Sequence, residues 1–577
     1  MKVKLAKTAA FCMGVRRAME MVLTEANKEQ DRIFTFGPLI HNKQVLELLE
    51  SKGVTAIKDA EEFNEGTLVI RAHGIPPKQR KLLRESRLRL IDATCPRVAR
   101  VQSIIRYHTK KGYTAIIVGD RDHPEVIGLL GYGNGRAHVI NRPEEVSHIP
   151  DTEKLFIVAQ TTQDEQNYRE IVKGIQDRFP DALIFDTICD ATVNRQEEIR
   201  SFVGQVDAVV VVGGYHSGNT RRLVQISEAA GLPTFHVETE KDLDKEKLST
   251  MEVIGVTAGA STPNWMIKNV VKEIEAIRSR RETFLGRWIK DAFKFMLLSN
   301  LLVAFGGFSL AHAAAILSGR TPDLIHPSLA LFYIYAMHVL NRFLDKGAST
   351  YNDPERASFY RKHRIFLILS GIASMIGALG LSYYLSTTIF FAIAGLSILG
   401  IIYSIRIVPI SFRHLWRYSK IKDIPGSKTL SVALAWGVVI TLVPLFESVG
   451  MEWTAAVMSF LFVFSIAYVR SALFDIFQVQ GDLIVGVETL PIVLGEKRTL
   501  LHLKWVILLA ALIIATATIF GLLGPFAYLL LLCFVCSALS LLIYEKRWLY
   551  PGTRLEAMVE ANFFLAGLLG LLWHVLS

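Results

Sequence analysis

The run Leu88-Arg89-Leu90-Ile91-Asp92-Ala93-Thr94-Cys95-Pro96 decides how the first half of this chain is read. An apolar stretch ends in a short polar loop, a cysteine closes the loop, and a proline opens the amphipathic stretch Pro96–Lys111. That reads as strand, loop and helix start, with a thiol at the junction. Working outward, Cys12 lies 83 residues before Cys95 and Cys189 lies 94 after it; no other cysteine occurs in the first 280 residues. A second series keeps the step, as Gly37/His41, Gly119/His123 and Gly213/Ser217, with glycines 82 and 94 apart. A third series follows apolar runs: Ala72-His73, Ala159-Gln160-Thr161 and Ala258-Gly259-Ala260-Ser261. This periodicity predicts three related α/β units around a pseudo-threefold axis. Each unit would give one thiolate and a few polar groups to one central cavity, and three thiolates at a centre read as a metal or cluster site.

Strands are expected at Arg32–Phe36, Thr67–Arg71, Leu88–Ile91, Ala115–Val118, Lys154–Val158, Ala182–Phe185, Ala208–Val212, Pro233–His236 and Val253–Thr257. Amphipathic stretches such as Lys43–Ser51 separate most of them, which argues for parallel sheets covered by helices. Ligands in such folds sit at the carboxyl ends of strands. His41, Asn42, His73, Cys95, His123, Glu125, Thr161, Ser217, Asn219 and Ser261 all fall there.

The chemistry follows from the residue types. Three Cys ligands leave one position open on a metal, or one iron available on a cluster that ordinarily takes four thiolates. Three histidines with hydroxyl and amide groups offer many donors and few fixed negative charges, which suits an oligo-anion such as a diphosphate. Glu125 is the single carboxylate of the series and is positioned to deliver protons.

The whole chain is longer than one domain. It has 577 residues and a net charge of +10, and its mean hydropathy of +0.32 averages two unlike halves. Residues 1–280 are charged and mixed; 281–294 form a basic amphipathic join with Arg281, Arg287, Lys290 and Lys294; 295–577 carry apolar runs long enough to cross a bilayer. Met1–Lys7 is charged and no apolar run follows, so no cleavable signal peptide is expected, and the first half is expected to fold where thiols stay reduced. The basic excess of the second half lies in short loops, which is a topology signal and argues against nucleic-acid binding.

At this point the first half resembles a known family. Phe11-Cys12-Met13-Gly14-Val15-Arg16-Arg17-Ala18, Arg71-Ala72-His73-Gly74, Asp92-Ala93-Thr94-Cys95-Pro96, His123-Pro124-Glu125, Gln160-Thr161-Thr162 and Ser217-Gly218-Asn219-Thr220 are similar to the signature blocks of 4-hydroxy-3-methylbut-2-enyl diphosphate reductases. That family acts last in the methylerythritol phosphate route to isoprenoids. The resemblance implies a 4Fe-4S cluster on Cys12, Cys95 and Cys189. It implies a diphosphate held by His41, His73, His123, Ser217, Gly218, Asn219 and Ser261, with Thr161 ordering the hydroxyl end and Glu125 feeding protons. Gly218 stands where some relatives carry serine. Reductive loss of the hydroxyl as water would give isopentenyl and dimethylallyl diphosphate, with electrons from a ferredoxin- or flavodoxin-type donor.

In the second half, nine spans are expected, at about 295–317, 327–344, 365–384, 387–405, 429–447, 453–473, 504–522, 524–543 and 557–576. Loops 345–364, 406–428, 470–503 and 545–556 carry five, six, three and three Lys or Arg, whereas the alternate loops hold only Arg320. Positive loops stay inside. This predicts an all-α unit in the cell inner membrane with the first half on the cytoplasmic side. Cys533 and Cys536 inside the eighth span read as packing residues.

Polar residues interrupt the spans at Asn341, Asp345 and Asn352–Arg356, again at Asp475, Gln478 and Asp482, and in a loop with Tyr403, Lys422, Asp423 and Lys428. Carboxylates at helical spacing there suit a Mg²⁺ that bridges a diphosphate. Together with Trp436-Gly437 and Thr489-Leu490-Pro491, these pieces resemble the UbiA family of intramembrane prenyltransferases. The resemblance implies Mg²⁺ on Asn341, Asp345, Asp475 and Asp482, a polyprenyl diphosphate and a lipophilic acceptor. Three positions depart from that pattern: Arg342 and Ser349 stand in the first motif, and Gln478 stands in the second, where carboxylates are expected. A different class stays open on sequence alone, a cluster-bearing redox sensor on a non-catalytic membrane anchor or prenyl-lipid scaffold.

Overall fold

The computed structural model describes all residues except 29–31, 59–64, 278–283, 345–350, 405–420, 422–423, 448–452, 550 and 577. Arg281, Asp345, Ser349, Lys422 and Asp423 therefore lie outside the described residues. The chain forms two compact units, Met1–Arg281 and Glu282–Ser577.

Twelve strands build the first unit: β1 Lys2–Leu5, β2 Ile33–Phe36, β3 Val54–Ile57, β4 Thr67–Ile70, β5 Arg89–Asp92, β6 Thr114–Val118, β7 Ala137–Ile140, β8 Leu155–Ala159, β9 Leu183–Ile184, β10 Ala208–Val212, β11 Thr234–Val237 and β12 Val253–Ala258. They form three four-stranded sheets in the orders β3-β2-β4-β5, β7-β6-β8-β9 and β11-β10-β12-β1. Every pairing is parallel. The central strands are apolar runs because helices cover both faces; Ala208–Val212 is buried at every residue.

The three sheets share one plan. The first strand of each set lies inside, the second pairs on its outer side, and the third and fourth follow on the other side. The third sheet obtains its fourth strand from the start of the chain, because Lys2–Leu5 pairs with Val253–Val256. Cys12 therefore belongs to the unit that carries Ser217 and Ser261, although it precedes His41 in sequence.

Three of these strands escape the sequence reading, β1, β3 and β7. All are four-residue edge strands. An edge strand covers one side only, so its residues alternate or mix in burial and no long apolar run marks it. Lys2 and Lys4 in β1 read as a charged terminus for that reason.

The second unit is helical and, among the described residues, holds seven helices long and apolar enough to cross a membrane, or eight if a bent pair counts as one span. That pair departs from the expected single span 295–317. Helix Phe284–Leu298 stops, Asn300 takes a left-handed φ of 65°, and helix Leu301–Leu317 leaves at 75°. Asparagine tolerates that conformation, and its side-chain amide donates to Tyr360 Oη at 2.7 Å. Helix Phe284–Leu298 exposes Leu285, Trp288, Ile289 and Phe293 along one stripe, the pattern of a helix lying in a membrane interface. Helix Ile325–Leu344 has the length of a span but falls outside those seven, since histidine, asparagine and arginine lower its hydropathy.

Helix Trp453–Val485 runs 33 residues, about 50 Å at the helical rise. It outlasts the hydrocarbon layer, so Asp475 and Asp482 sit on its last turns and not in a following loop. Buried carboxylates in this unit are paired: Arg470 Nε donates to Glu560 at 2.9 Å, and Arg356 donates to Glu556 at 2.7 Å. Unpaired charges there would cost several kcal/mol.

Candidate active site

Each cysteine follows the fourth strand of its sheet and caps a helix: Cys12 before Met13–Ala26, Cys95 before Pro96–Lys110, Cys189 before Asp190–Arg200. Their backbone amides are held alike. Cys12 N donates to Ala260 O at 3.1 Å, Cys95 N to Ala72 O at 2.9 Å and Cys189 N to Thr161 O at 2.9 Å. Each acceptor lies just past the third strand of the same sheet, so the fold ties every thiol to the loop that carries His73, Thr161 or Ser261.

The three thiols line one cavity together with His41, His73, His123, Glu125, Thr161, Ser217, Gly218, Asn219 and Ser261. These twelve residues are therefore gathered, whereas Asn42 does not line the cavity and caps helix Lys43–Ser51. Five of them, Cys12, Cys95, His123, Cys189 and Ser217, are helix N-caps. Five helix N-termini at one cavity present free N–H groups and positive dipole ends, which favour thiolates and phosphate oxygens.

The imidazoles of His41, His73 and His123 stand 4.7, 5.7 and 5.4 Å apart, ring to ring. Burial keeps all three below the usual histidine range, helped by the charge of Arg71 at each and by His41 at His73 and His123, with His123 at about 4. His41 Nε2, His73 Nδ1 and Asn219 Nδ2 are buried without a protein partner among the described residues. Such orphans in one cavity mark donors for a ligand. A diphosphate entering would supply the missing negative charge and draw protons onto the imidazoles. Net proton uptake on binding is therefore expected, with affinity rising as pH falls below 7. Calorimetric titration with the substrate in buffers of different ionisation enthalpy measures it.

Glu125 is buried, 2 % exposed, in the first turn of helix Pro124–Tyr132. Its carboxyl accepts from Thr161 N at 2.7 Å and Thr161 Oγ1 at 2.9 Å. Burial pushes it up to about 7, against the pull of those two bonds. A carboxyl near neutrality is poised to give up a proton at working pH.

Three thiols fit a cluster on two observations. Burial raises Cys95 and Cys189, and the other thiols raise them further, while backbone N–H groups of the next helical turn pull them down. A bound cation relieves that mutual repulsion. Gly14 also leaves space beside the sulfur, since a Cβ there would lie 2.5 Å from Cys95 Sγ. Gly14→Ala is expected to displace Cys95 and lower the iron retained after reconstitution several-fold, read by iron and sulfide assay. At Gly218 a Cβ meets His123 Cδ2 at 3.5 Å, ordinary contact, so the serine of relatives is admissible.

Two cationic lining residues were not singled out from the sequence. Arg195 is 3 % exposed and donates to Ala10 O and Ala191 O, both at 2.7 Å, so it braces the loops of Cys12 and Cys189. Arg97 pairs with Asp190 beside the thiols. Their local signal is only a basic residue two or six places after a cysteine.

Of the Mg²⁺ ligands expected in the second unit, Asp345 lies outside the described residues, and Asp475 and Asp482 both lie near Lys428. Asp475 accepts from Lys428 Nζ at 2.8 Å and from Thr429 Oγ1 at 2.5 Å, and Asp482 accepts from Asn352 Nδ2 at 2.7 Å. Among the described residues, only His41, His73 and His123 bring three possible metal ligands within reach of one ion. The described carboxylates Asp475 and Asp482 each accept from an internal donor.

A ring of three thiols, three imidazoles and one buried carboxyl, set at the strand ends of three parallel sheets, defines a thiolate-centred α/β protein shaped for a polyanion. Residues 3–275 match the family described as LytB protein, and residues 300–568 match the UbiA prenyltransferase family. The chain is 39 % identical over 282 residues to the 4-hydroxy-3-methylbut-2-enyl diphosphate reductase of Geobacter sulfurreducens, covering 49 % of this chain and 100 % of that relative. A solved structure of (E)-4-hydroxy-3-methyl-but-2-enyl diphosphate reductase is 41 % identical, with a TM-score of 0.39, 48 % of this chain and 100 % of that one covered. A UbiA homolog from Archaeoglobus fulgidus bound to GPP and Mg²⁺ is 17 % identical, with a TM-score of 0.36, covering 48 % of this chain and 98 % of that one. The chain belongs to the LytB family through its first unit, and its second unit, a multi-pass membrane unit, matches the UbiA prenyltransferase family model over residues 300–568.

Proposed function

We propose that the first unit reduces 4-hydroxy-3-methylbut-2-enyl diphosphate to isopentenyl and dimethylallyl diphosphate. The observation that carries this reading is the convergence of three thiols, three imidazoles, two of them with an unpartnered buried nitrogen, and the buried Glu125 carboxyl on one cavity. His41, His73, His123, Ser217, Gly218, Asn219 and Ser261 bind the diphosphate. That grip turns the substrate's hydroxyl end toward Thr161 and Glu125. A 4Fe-4S cluster held by Cys12, Cys95 and Cys189 supplies electrons when bound. Two electrons from a ferredoxin- or flavodoxin-type donor and two protons enter. The C–O bond breaks, the hydroxyl leaves as water with a proton delivered from Glu125, and carbon takes the second proton. Burial of the site keeps bulk water from the reacting carbon.

The membrane unit transfers a prenyl group from a prenyl diphosphate to a lipophilic acceptor, a reading supported by its family match. The basic loops support an inner-membrane location with the first unit in the cytoplasm. The deciding experiment is anaerobic: reconstitute the full chain with iron and sulfide, then follow oxidation of reduced viologen on adding substrate. Oxidation that yields both five-carbon diphosphates supports the reductase; a loaded cluster without turnover would retire it.

A further inference from the structure

Behind the cavity wall that carries Thr161 and Glu125, four residues close a ring of hydrogen bonds. Arg222 Nη1 donates to Thr162 O at 2.6 Å, and its Nη2 donates to the Asp120 carboxylate at 3.3 Å. Asp120 N donates to Gln160 Oε1 at 2.9 Å, and Gln160 Nε2 returns to Thr162 Oγ1 at 2.9 Å. Asn141 Nδ2 donates to the same carboxylate at 3.1 Å. The ring is enclosed: Gln160 is fully buried, and the Arg222 side chain is 12 % exposed. Its members come from three segments of the site. Asp120 follows β6, and its carbonyl accepts from His123 N at 2.9 Å. Gln160 and Thr162 flank Thr161 after β8. Arg222 lies in helix Gly218–Ala229, which is capped by Ser217 and opens with Gly218 and Asn219. The Asp120 carboxylate also stands close to that helix end, since a Cβ at Gly218 would lie 3.8 Å from its Oδ2. The equivalent loops of the three sheets read Gly37-Pro38, Gly119-Asp120 and Gly213-Gly214. Only the loop that carries Glu125 has a charged anchor after its glycine.

A buried ion pair adds little net stability over apolar packing, so what it contributes is direction. Asp120 and Asp164 balance the charge of Arg222, against Arg221. Neither Arg222 nor Asp120 lines the cavity, so neither is placed to touch a ligand there. Thr161 itself is held from the other side: its N and Oγ1 donate to Glu125, and its carbonyl accepts from Cys189 N. Arg222 is the bond that ties this loop to the helix end bearing Ser217, Gly218 and Asn219. We infer that Arg222 is a positioning residue, and that its ring with Asp120 fixes the Thr161–Glu125 pair, which serves the substrate's hydroxyl, relative to the helix end that grips the diphosphate. The inference rests on the reductase reading of this site.

The test uses the full chain in detergent, loaded with iron and sulfide, and scores viologen oxidation per loaded cluster. Arg222→Gln is expected to lower kcat by on the order of a hundredfold, the scale of a small misplacement of reacting groups. Inhibition by inorganic diphosphate reads the anion grip alone, and its Ki should stay within about threefold of the parent. Asp120→Ala should lower kcat in the same way. The double variant should be no slower than the slower single variant, because one ring is broken only once. It also leaves no charge of the pair unpartnered, so it carries the test if Arg222→Gln does not fold. A purely structural role would lower cluster content and thermal stability but leave kcat per cluster at the parent value. That result, losses that multiply in the double variant, or a Ki that weakens as much as kcat falls, each overturns the proposal. A parent that holds its cluster without turnover retires the reductase reading and this inference with it. A parent that turns over beside an unaffected variant retires the inference alone.

Discussion

Cys95→Ser is expected to abolish substrate-dependent viologen oxidation, by a factor on the order of a thousand or more, the scale seen when an essential group of a reaction centre is removed. Cys95 is held from both sides. Its amide is fixed to Ala72 O at 2.9 Å, and its sulfur packs against Gly14, where a Cβ would lie only 2.5 Å away. Serine keeps the helix cap and the backbone bond, so the fold should persist. What is lost is a soft thiolate, and a hydroxyl is a poor ligand to iron. The same outcome is expected at Cys12 and Cys189, because each closes an equivalent loop of its own sheet. Iron and sulfide content, the visible absorption of the cluster and circular dichroism read together separate cluster loss from unfolding. A serine variant that keeps full turnover would remove the thiols from the proposed chemistry.

Glu125→Gln should retain the cluster and lose turnover by about 10²- to 10⁴-fold, the usual contribution of a positioned proton donor. Glutamine matches glutamate in volume, so the packing of a residue 2 % exposed is preserved. It carries no proton to give. In the parent protein the sign of the pH effect follows from the raised carboxyl. The protonated form is held up to about pH 7 and is lost above it, so turnover should fall as pH rises through 7. The glutamine variant should lose that limb of the profile. Stopped-flow turnover between pH 6 and pH 9, in parent and variant, measures both effects. Normal turnover in the variant, or an unchanged alkaline limb, excludes Glu125 as the proton source.

Much of the active site was legible before any coordinates, for a physical reason. A thiol at a helix cap and a polar side chain four residues past a strand's glycine (His41, His123 and Ser217) are local requirements, and each recurs three times. Central strands are likewise legible, because burial on both faces demands continuous apolar runs such as Ala208–Val212. The membrane half was legible as a set of long apolar helices, since a bilayer admits little else.

Other features depend on where distant segments meet. That β1 closes the third sheet, giving Cys12 to the unit of Ser217 and Ser261, rests on pairing between Lys2–Leu5 and Val253–Val256, which no local pattern encodes. The raised carboxyl of Glu125 arises from burial against Thr161, thirty-six residues away. The break of the span 295–317 turns on one left-handed residue, Asn300, held by a tyrosine from a later helix. Sequence by itself determined the chemical inventory and the local elements that carry it, because residue type and short-range periodicity are properties of the chain. Tertiary structure alone decided which groups share a cavity, which charges are already neutralised and which are left for a ligand, because burial and pairing are properties of the packed molecule.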